Sequence, residues 1–290
     1  MNTPYIGIIG GSGLYQMEGV VVREERRIET PYGAPSDAIL LGTLDTVPVA
    51  FLPRHGRGHR VTPSEINYRA NIWALKSIGV HALIAVSAVG SMKEAIAPGD
   101  LVLVDQFIDR TQARASTFFH DGIVAHVSFA DPVCEKLATL LFASRSAIPT
   151  TVHPCGTYVC IEGPMFSSRA ESLLYRSWGV DVIGMTNYQE AKLAREAEIP
   201  FATIALATDY DCWHTDAADV DAMSVLAVMQ KNVINAQTLI RHALPQVVSA
   251  TRDSIAHRAL AQAIVTPIAQ ISAAVRERLS PIIQKYVAAR

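Results

Sequence analysis

The sequence predicts an α/β fold built on a mostly parallel or mixed central sheet. Two observations carry this. Short β-branched and aliphatic runs alternate with longer helical patterns, and most of the runs are apolar on both sides, as in strands covered on both faces. The runs are Tyr5–Ile9, Val47–Leu52, Ala82–Val86, Leu101–Val104, Thr157–Ile161, Val180–Ile183 and Phe201–Ala207. Helical patterns lie at Ser64–Ile78, Pro132–Ser146, Ser168–Trp178, Gln189–Ala197 and Val220–Ala243. Ser64 is placed to cap the first of these and Gly79 to stop it. Strand-then-helix alternation of this kind is the pattern of α/β proteins.

The composition bounds the rest. The chain has 290 residues, 50% of them hydrophobic and 18% charged, which suits one large core and argues against disorder. The formal net charge of -2 provides no global field for nucleic acid or an anionic membrane, so an anion must be held by a local site. The start, MNTPYIGIIGGSG, has neither the basic nor the long apolar region of a signal peptide, and no run of apolar residues is long enough to span a bilayer. Cys134, Cys155, Cys160 and Cys212 show no paired spacing and read as reduced thiols of a cytoplasmic protein. The segment Thr251–Arg290 changes character, being rich in Ala, Arg and Ile. It reads as two helices broken at Pro267, a helical appendage (251–290) on a body of residues 1–250.

Chemistry-bearing residues cluster just after the strands. Gly10-Gly11-Ser12-Gly13 follows the first and is either an anion-binding turn or a plain strand-to-loop turn. It matches neither the dinucleotide nor the nucleoside-triphosphate fingerprint. Pro53-Arg54-His55-Gly56-Arg57-Gly58-His59-Arg60 follows another strand, and its Arg forks and imidazoles suit phosphate better than a metal, because the glycines disfavour a helix presenting both His55 and His59. No metal site is expected. Ser87-Ala88-Val89-Gly90 repeats the pattern of a hydroxyl and free backbone donors at a strand end. In Glu162-Gly163-Pro164-Met165-Phe166-Ser167-Ser168, Phe166 either stacks on a heterocycle or packs in the core. Met185-Thr186 and Asp209-Tyr210-Asp211 follow the last two strands. Two carboxylates at the end of an apolar strand need partners. They are either a cap or surface feature, or groups that hydrogen-bond a base and act as a general acid. Open α/β sheets collect ligands at the carboxyl ends of their strands, which favours phosphate binding at the Arg54 loop and Gly10–Gly13, while the pattern alone does not decide for Asp209 and Asp211.

Together, GIIGGSGLY, PRHGRGHR, NYRANIWAL, SAVGS, DQFIDRT, EGPMFSSRAE and ATDYDCW resemble the methylthioadenosine phosphorylase family, within the trimeric purine nucleoside phosphorylase superfamily, over roughly residues 5–245. The resemblance implies one α/β domain with a distorted barrel, assembled as a homotrimer or a dimer of trimers with sites near subunit boundaries. It implies a pentosyltransferase of purine and methionine salvage: phosphate attacks C1' of 5'-deoxy-5'-methylthioadenosine, with phosphate as co-substrate and no cofactor. Ser12, Arg54, His55, Ser87, Ala88 and Thr186 would then hold phosphate. Met185 would face the ribose, and Phe166, Ser167, Asp209 and Asp211 would surround the adenine. His126 would arrive from a neighbouring subunit at the methylthio end, lined by Ala222 and Val225. The leaving base needs a donor at N7, so Asp209 would carry a proton, held there by burial and by Asp211. An Asn in its place would suit a 6-oxo purine. Met165 stands where the family often has Arg, and Asn187-Tyr188-Gln189 replaces a common Thr-Val-Pro. An adenosine- or methylthioinosine-preferring phosphorylase is the alternative enzyme, and a nucleoside-binding protein without turnover the alternative of another class.

Overall fold

The protein is described by a computed structural model covering residues 4–11, 14, 18–214 and 222–287, the side chains of 222–226 excepted. The strands are β1 (Tyr5–Gly10), β2 (Val20–Arg26), β3 (Ile39–Leu44), β4 (Val47–Pro53), β5 (Val80–Ser91), β6 (Leu101–Val104), β7 (Gln106–Arg110), β8 (Val152–His153), β9 (Thr157–Ile161), β10 (Val182–Gly184) and β11 (Phe201–Tyr210). The helices are α1 (Tyr68–Ser77), α2 (Glu135–Ala143), α3 (Arg169–Ser177), α4 (Asn187–Glu196), α5 (Ala222–Thr251), α6 (Ala273–Arg278) and α7 (Ser280–Val287).

The expected strands are all present, within one mixed sheet. One arm runs β2-β3-β4-β1-β5, with β1 parallel to both β4 and β5. From β5 the sheet closes on itself. One route runs through β11 to β6 and β8, the other through β10 to β9 and β7. The chain continues from β6 into β7 through Asp105, and from β8 into β9 through residues 154–156, so the two routes meet and form a distorted barrel. The break is pinned by Asp105, whose N–H donates to Gly156 O at 3.1 Å while Gly156 N–H donates back to Asp105 Oδ1 at 3.0 Å. A Cβ on Gly156 would lie 2.7 Å from Val102 Cγ1, so only glycine fits this crossing.

Apolarity on both sides of the strands now has its cause. Ile9, Leu52, Leu83 and Phe201 face one core with Ile72 and Leu75 of α1 and Leu193 of α4. Their neighbours Ile8, Phe51, Ile84 and Ala202 face a second core with Leu137 and Leu141 of α2 and Leu239, Ile240 and Leu244 of α5.

Several boundaries move for local reasons. α1 is capped by Asn67, whose side chain accepts from Ala70 N–H at 3.1 Å. Ser64 instead donates to Glu162, which leaves it outside the helix. α3 begins where expected, with Ser168 and Glu171 closing a reciprocal capping box. β2 and β3 escaped the sequence pattern: β2 is an exposed, charge-rich strand, and β3 joins β4 by a tight hairpin at Asp45, at φ 53°.

The largest revision concerns the end of the chain. The expected final helix of the body runs on through Pro245 to Thr251. Two helices broken at Pro267 are not found. Residues 255–270 form two 3-10 turns, and both short helices, α6 and α7, come after Pro267. Ala263, Ile271, Val275, Leu279, Ile282 and Ile283 pack into the same core as Leu83 and Phe201. Glu198 ties this segment down: its carboxylate accepts from Leu260 N–H at 2.9 Å and from the Tyr286 hydroxyl, and it pairs with Lys285. Leu279→Ala should therefore cost about 2–5 kcal/mol, as for a core leucine, read as a lowered denaturant midpoint. An unchanged midpoint would show this segment to be dispensable for the core.

Candidate active site

The register of the sheet brings the loops together. Gly10 pairs with Pro53, Ile9 with Ala85 and Asp209 with Gly90, so β1, β4, β5 and β11 all release their loops at one edge. β10 runs antiparallel to the end of β5, with Ile183 against Gly90, and delivers Met185 and Thr186 to the same place. A cavity of about 410 Å³ opens there. Its lining includes Arg54, His55, Ser87, Ala88, Phe166, Ser167, Met185, Thr186, Asp209 and Asp211. A cavity of this size at converging strand ends suits a small-molecule ligand.

Of the other expected residues, Ser12 lies outside the described residues, as do the side chains of Ala222 and Val225, which fall in the first turns of α5. His126 is exposed and stands away from this cavity, on a segment whose N–H donates to Ala263 O at 2.8 Å.

One end of the cavity is basic. Arg54 is buried (3% exposed) and clamped side-on by Glu190 of α4, with Nε 2.6 Å and Nη2 2.9 Å from its carboxylate oxygens. Nη1 donates to Val86 O at 2.7 Å. Three of the five guanidinium hydrogens are thus committed and the rest are left for an anion. Burial opposes the charge, but the Glu190 carboxylate outweighs it and holds the guanidinium above its ordinary value. His55 stacks on His59 with ring centroids 4.3 Å apart. Its Nδ1 lies 2.8 Å from Val61 O and therefore carries the hydrogen. Burial, and then the Arg54 charge, push this imidazole down to about 4, so Nε2 is an acceptor near neutrality. Behind Met185 and Thr186, a Cβ on Gly184 would fall 2.0 Å from the Tyr158 hydroxyl, so glycine is required for β10 to pass.

Two carboxyls also line the cavity, Asp209 and Asp211. Asp209 is pushed up to about 6, by burial first and by the Asp211 charge after it, against a hydrogen bond from Thr208. Asp211 is buried, and its Oδ2, like Ser167 Oγ, has no protein partner among the described residues. Buried polar atoms of this kind facing a cavity are available to a ligand. Cys134, Cys155, Cys160 and Cys212 are free thiols. Among the described residues, no group of three or more His, Cys, Asp or Glu is placed to hold a metal.

With the geometry in place, comparison with known proteins adds the lineage. The model of the Phosphorylase superfamily matches residues 5–245. The chain belongs to this superfamily. It is 56% identical to an S-methyl-5'-thioadenosine phosphorylase of Geobacter sulfurreducens, over 97% of this chain and 99% of that one. It is 55% identical to the protein of the same name from Thermosynechococcus vestitus, over 98% and 100%. Among solved structures, a methylthioadenosine phosphorylase from an Antarctic soil metagenome superposes with a TM-score of 0.92 at 52% identity, over 97% of this chain and 99% of that one. An adenosine/methylthioadenosine phosphorylase mutant of Schistosoma mansoni, solved with adenine, follows at a TM-score of 0.80 and 37% identity, covering 85% and 92%.

In this member of the phosphorylase superfamily the departures noted in the sequence fall away from the cavity. Met165 is exposed. Asn187 donates to Glu190 at 2.8 Å, Gln189 donates to Thr111 at 2.7 Å, and the Tyr188 ring packs edge-on to Phe107 and Phe129. Other lining residues escaped the sequence reading. Leu14, Met229 and Val233 supply aliphatic wall, and Thr208 supplies a hydroxyl; His59, already in the phosphate-suited loop, lines the cavity as well. Helical periodicity in α5, carried one and two turns further than Val225, would have found Met229 and Val233.

Proposed function

We propose that this chain catalyses phosphorolysis of 5'-deoxy-5'-methylthioadenosine, giving adenine and 5-methylthioribose 1-phosphate. One observation carries the reading: Asp209, a carboxyl pushed up to about 6, lines the same cavity as the buried cation Arg54, so that one ligand can reach both an acid and an anion-binding group. The names of the relatives favour the methylthio nucleoside within this class.

Arg54, Ser87, Thr186 and the backbone at Ala88 hold hydrogen phosphate, joined by Ser12, and His55 Nε2 accepts its hydroxyl hydrogen. One phosphate oxygen attacks C1' as the C1'–N9 bond breaks, through a cation-like sugar flanked by Met185. The electron pair leaves with the base, and Asp209 donates its proton to N7. Its second oxygen accepts from the 6-amino group, with Phe166, Ser167 and Asp211 around the ring. Ala222, Val225, Met229 and Val233 on α5 receive the thioether. His126 serves the pocket of a neighbouring subunit. The exposed Met165, Phe166, Leu173, Leu174 and Trp178 give an apolar surface that supports assembly as a homotrimer or dimer of trimers. Phosphate is the only co-substrate, and the site of action is the cytoplasm. Residues 251–290 act as an appendage docked on the body of residues 1–250.

The test is phosphate-dependent adenine release from methylthioadenosine, adenosine and methylthioinosine. Methylthioadenosine should have the highest kcat/KM, with adenosine second. Turnover of methylthioinosine alone would overturn the role of Asp209, and tight binding without turnover in excess phosphate would overturn the enzyme.

A further inference from the structure

Adjacent residues of a strand point to opposite faces, yet Thr208 and Asp209 both line the cavity. The pairing of β11 with β5 explains this. It passes from Ala207 opposite Val89 to Asp209 opposite Gly90, leaving Thr208 as the extra residue of a β-bulge. The bulge turns the Thr208 hydroxyl onto its neighbour. Oγ1 lies 2.6 Å from Asp209 Oδ1 and 3.2 Å from Val89 O. One hydrogen thus has two acceptors, and the carboxylate oxygen is the nearer. Asp209 Oδ2 lies towards Gly90, another lining residue of the cavity, 3.5 Å from where a Cβ there would sit.

We propose that Thr208 is a positioning residue for this reaction: its hydroxyl occupies Oδ1 of Asp209, so the transferable proton resides on Oδ2, and it stabilises the carboxylate formed when that proton leaves. This deepens the reading of Asp209 as the N7 donor and rests on it. The proton balance is simple. Oδ2–H breaks as N7–H forms, the base keeps the C1'–N9 electron pair, and Asp209 is left as a carboxylate whose Oδ1 receives the hydroxyl hydrogen. A charge-assisted hydrogen bond of this length favours the anion, so it both eases the transfer and keeps the carboxyl from rising further. The other ionisable groups around Asp209 are Asp211 beyond it on the same chain, Arg54, His55 and His59 after β4, and Glu190 of α4, which neutralises Arg54.

The test is the pH profile of kcat/KM for methylthioadenosine at saturating phosphate, in wild type, Thr208→Val, Thr208→Ser and Asp209→Asn. Thr208→Val should move the alkaline limb up by about one pH unit, a tenfold change in ionisation. On the low-pH plateau, where Asp209 is protonated in both proteins, its kcat should fall by up to about tenfold, corresponding to one unit of proton affinity, with the KM for phosphate unchanged. Thr208→Ser should restore the wild-type limb. An unmoved limb in Thr208→Val, or a loss that Thr208→Ser fails to rescue, overturns the role of Thr208 while leaving Asp209 in place. A limb that persists in Asp209→Asn belongs to another group and overturns both.

Discussion

Asp209→Asn should lower kcat/KM for methylthioadenosine by about 10²–10⁴-fold, the range for loss of a general acid, while the protein stays folded. The amide presents an NH2 group where the carboxyl presents a proton and an acceptor to N7 and the 6-amino group. It faces a 6-oxo purine better, so activity on methylthioinosine should rise relative to methylthioadenosine. The same variant should be more stable than wild type. The folded-state value of Asp209 lies near 6, above its ordinary 3.8, so the ionised form is disfavoured by folding. Its cost to stability is fully present above about pH 6 and vanishes below the unfolded value. At pH 7.5 the Asn variant should gain on the order of 1–2 kcal/mol, and the gain should disappear by about pH 4. Chemical denaturation at the two pH values reads this directly. Lost activity with increased stability is the signature of a group kept for chemistry.

Arg54→Ala should abolish useful phosphate affinity and destabilise the protein by about 3–5 kcal/mol. Deleting the guanidinium does more than remove an anion contact. Glu190 is 1% exposed, and without Arg54 its carboxylate keeps, among the described residues, only the Asn187 amide as a hydrogen-bond partner. The double variant Arg54→Met/Glu190→Leu removes both charges and should recover most of the stability. It should not recover phosphate use. Denaturant midpoints and the KM for phosphate across the pair separate the two roles. If Arg54→Ala kept wild-type phosphate affinity, the basic end of the cavity would be misassigned.

Much of the site was legible because each motif ends a strand, and strands that pair in parallel must release their loops together. Arg54, Ser87 and Asp209 could be grouped before any geometry was known. What escaped depends on contacts that no local pattern encodes. Glu190 lies 136 positions from the Arg54 it clamps. The His55 tautomer depends on a carbonyl six residues away, which leaves Nε2 as an acceptor. The bulge at Thr208 interrupts the alternation on which strand reading depends. In the fold, the apolar strands showed themselves by burial on both faces, whereas β2 hid because its exposed face is charged. The closing segment was misread because a proline marks a possible break without saying which side stays helical. Here the helices form after it, where Leu279 and Ile283 reach the core.

The central claim is that Asp209 takes up a proton near pH 6, well above the ordinary aspartate range, and gives it to the base. The most direct measurement is the carboxyl infrared band of Asp209, isolated as the difference between wild type and Asp209→Asn and followed with pH. The protonated band should titrate with a midpoint near 6 in the free protein and move higher when the phosphate dianion occupies the same cavity. A midpoint below about 4, the ordinary aspartate value, would contradict the account.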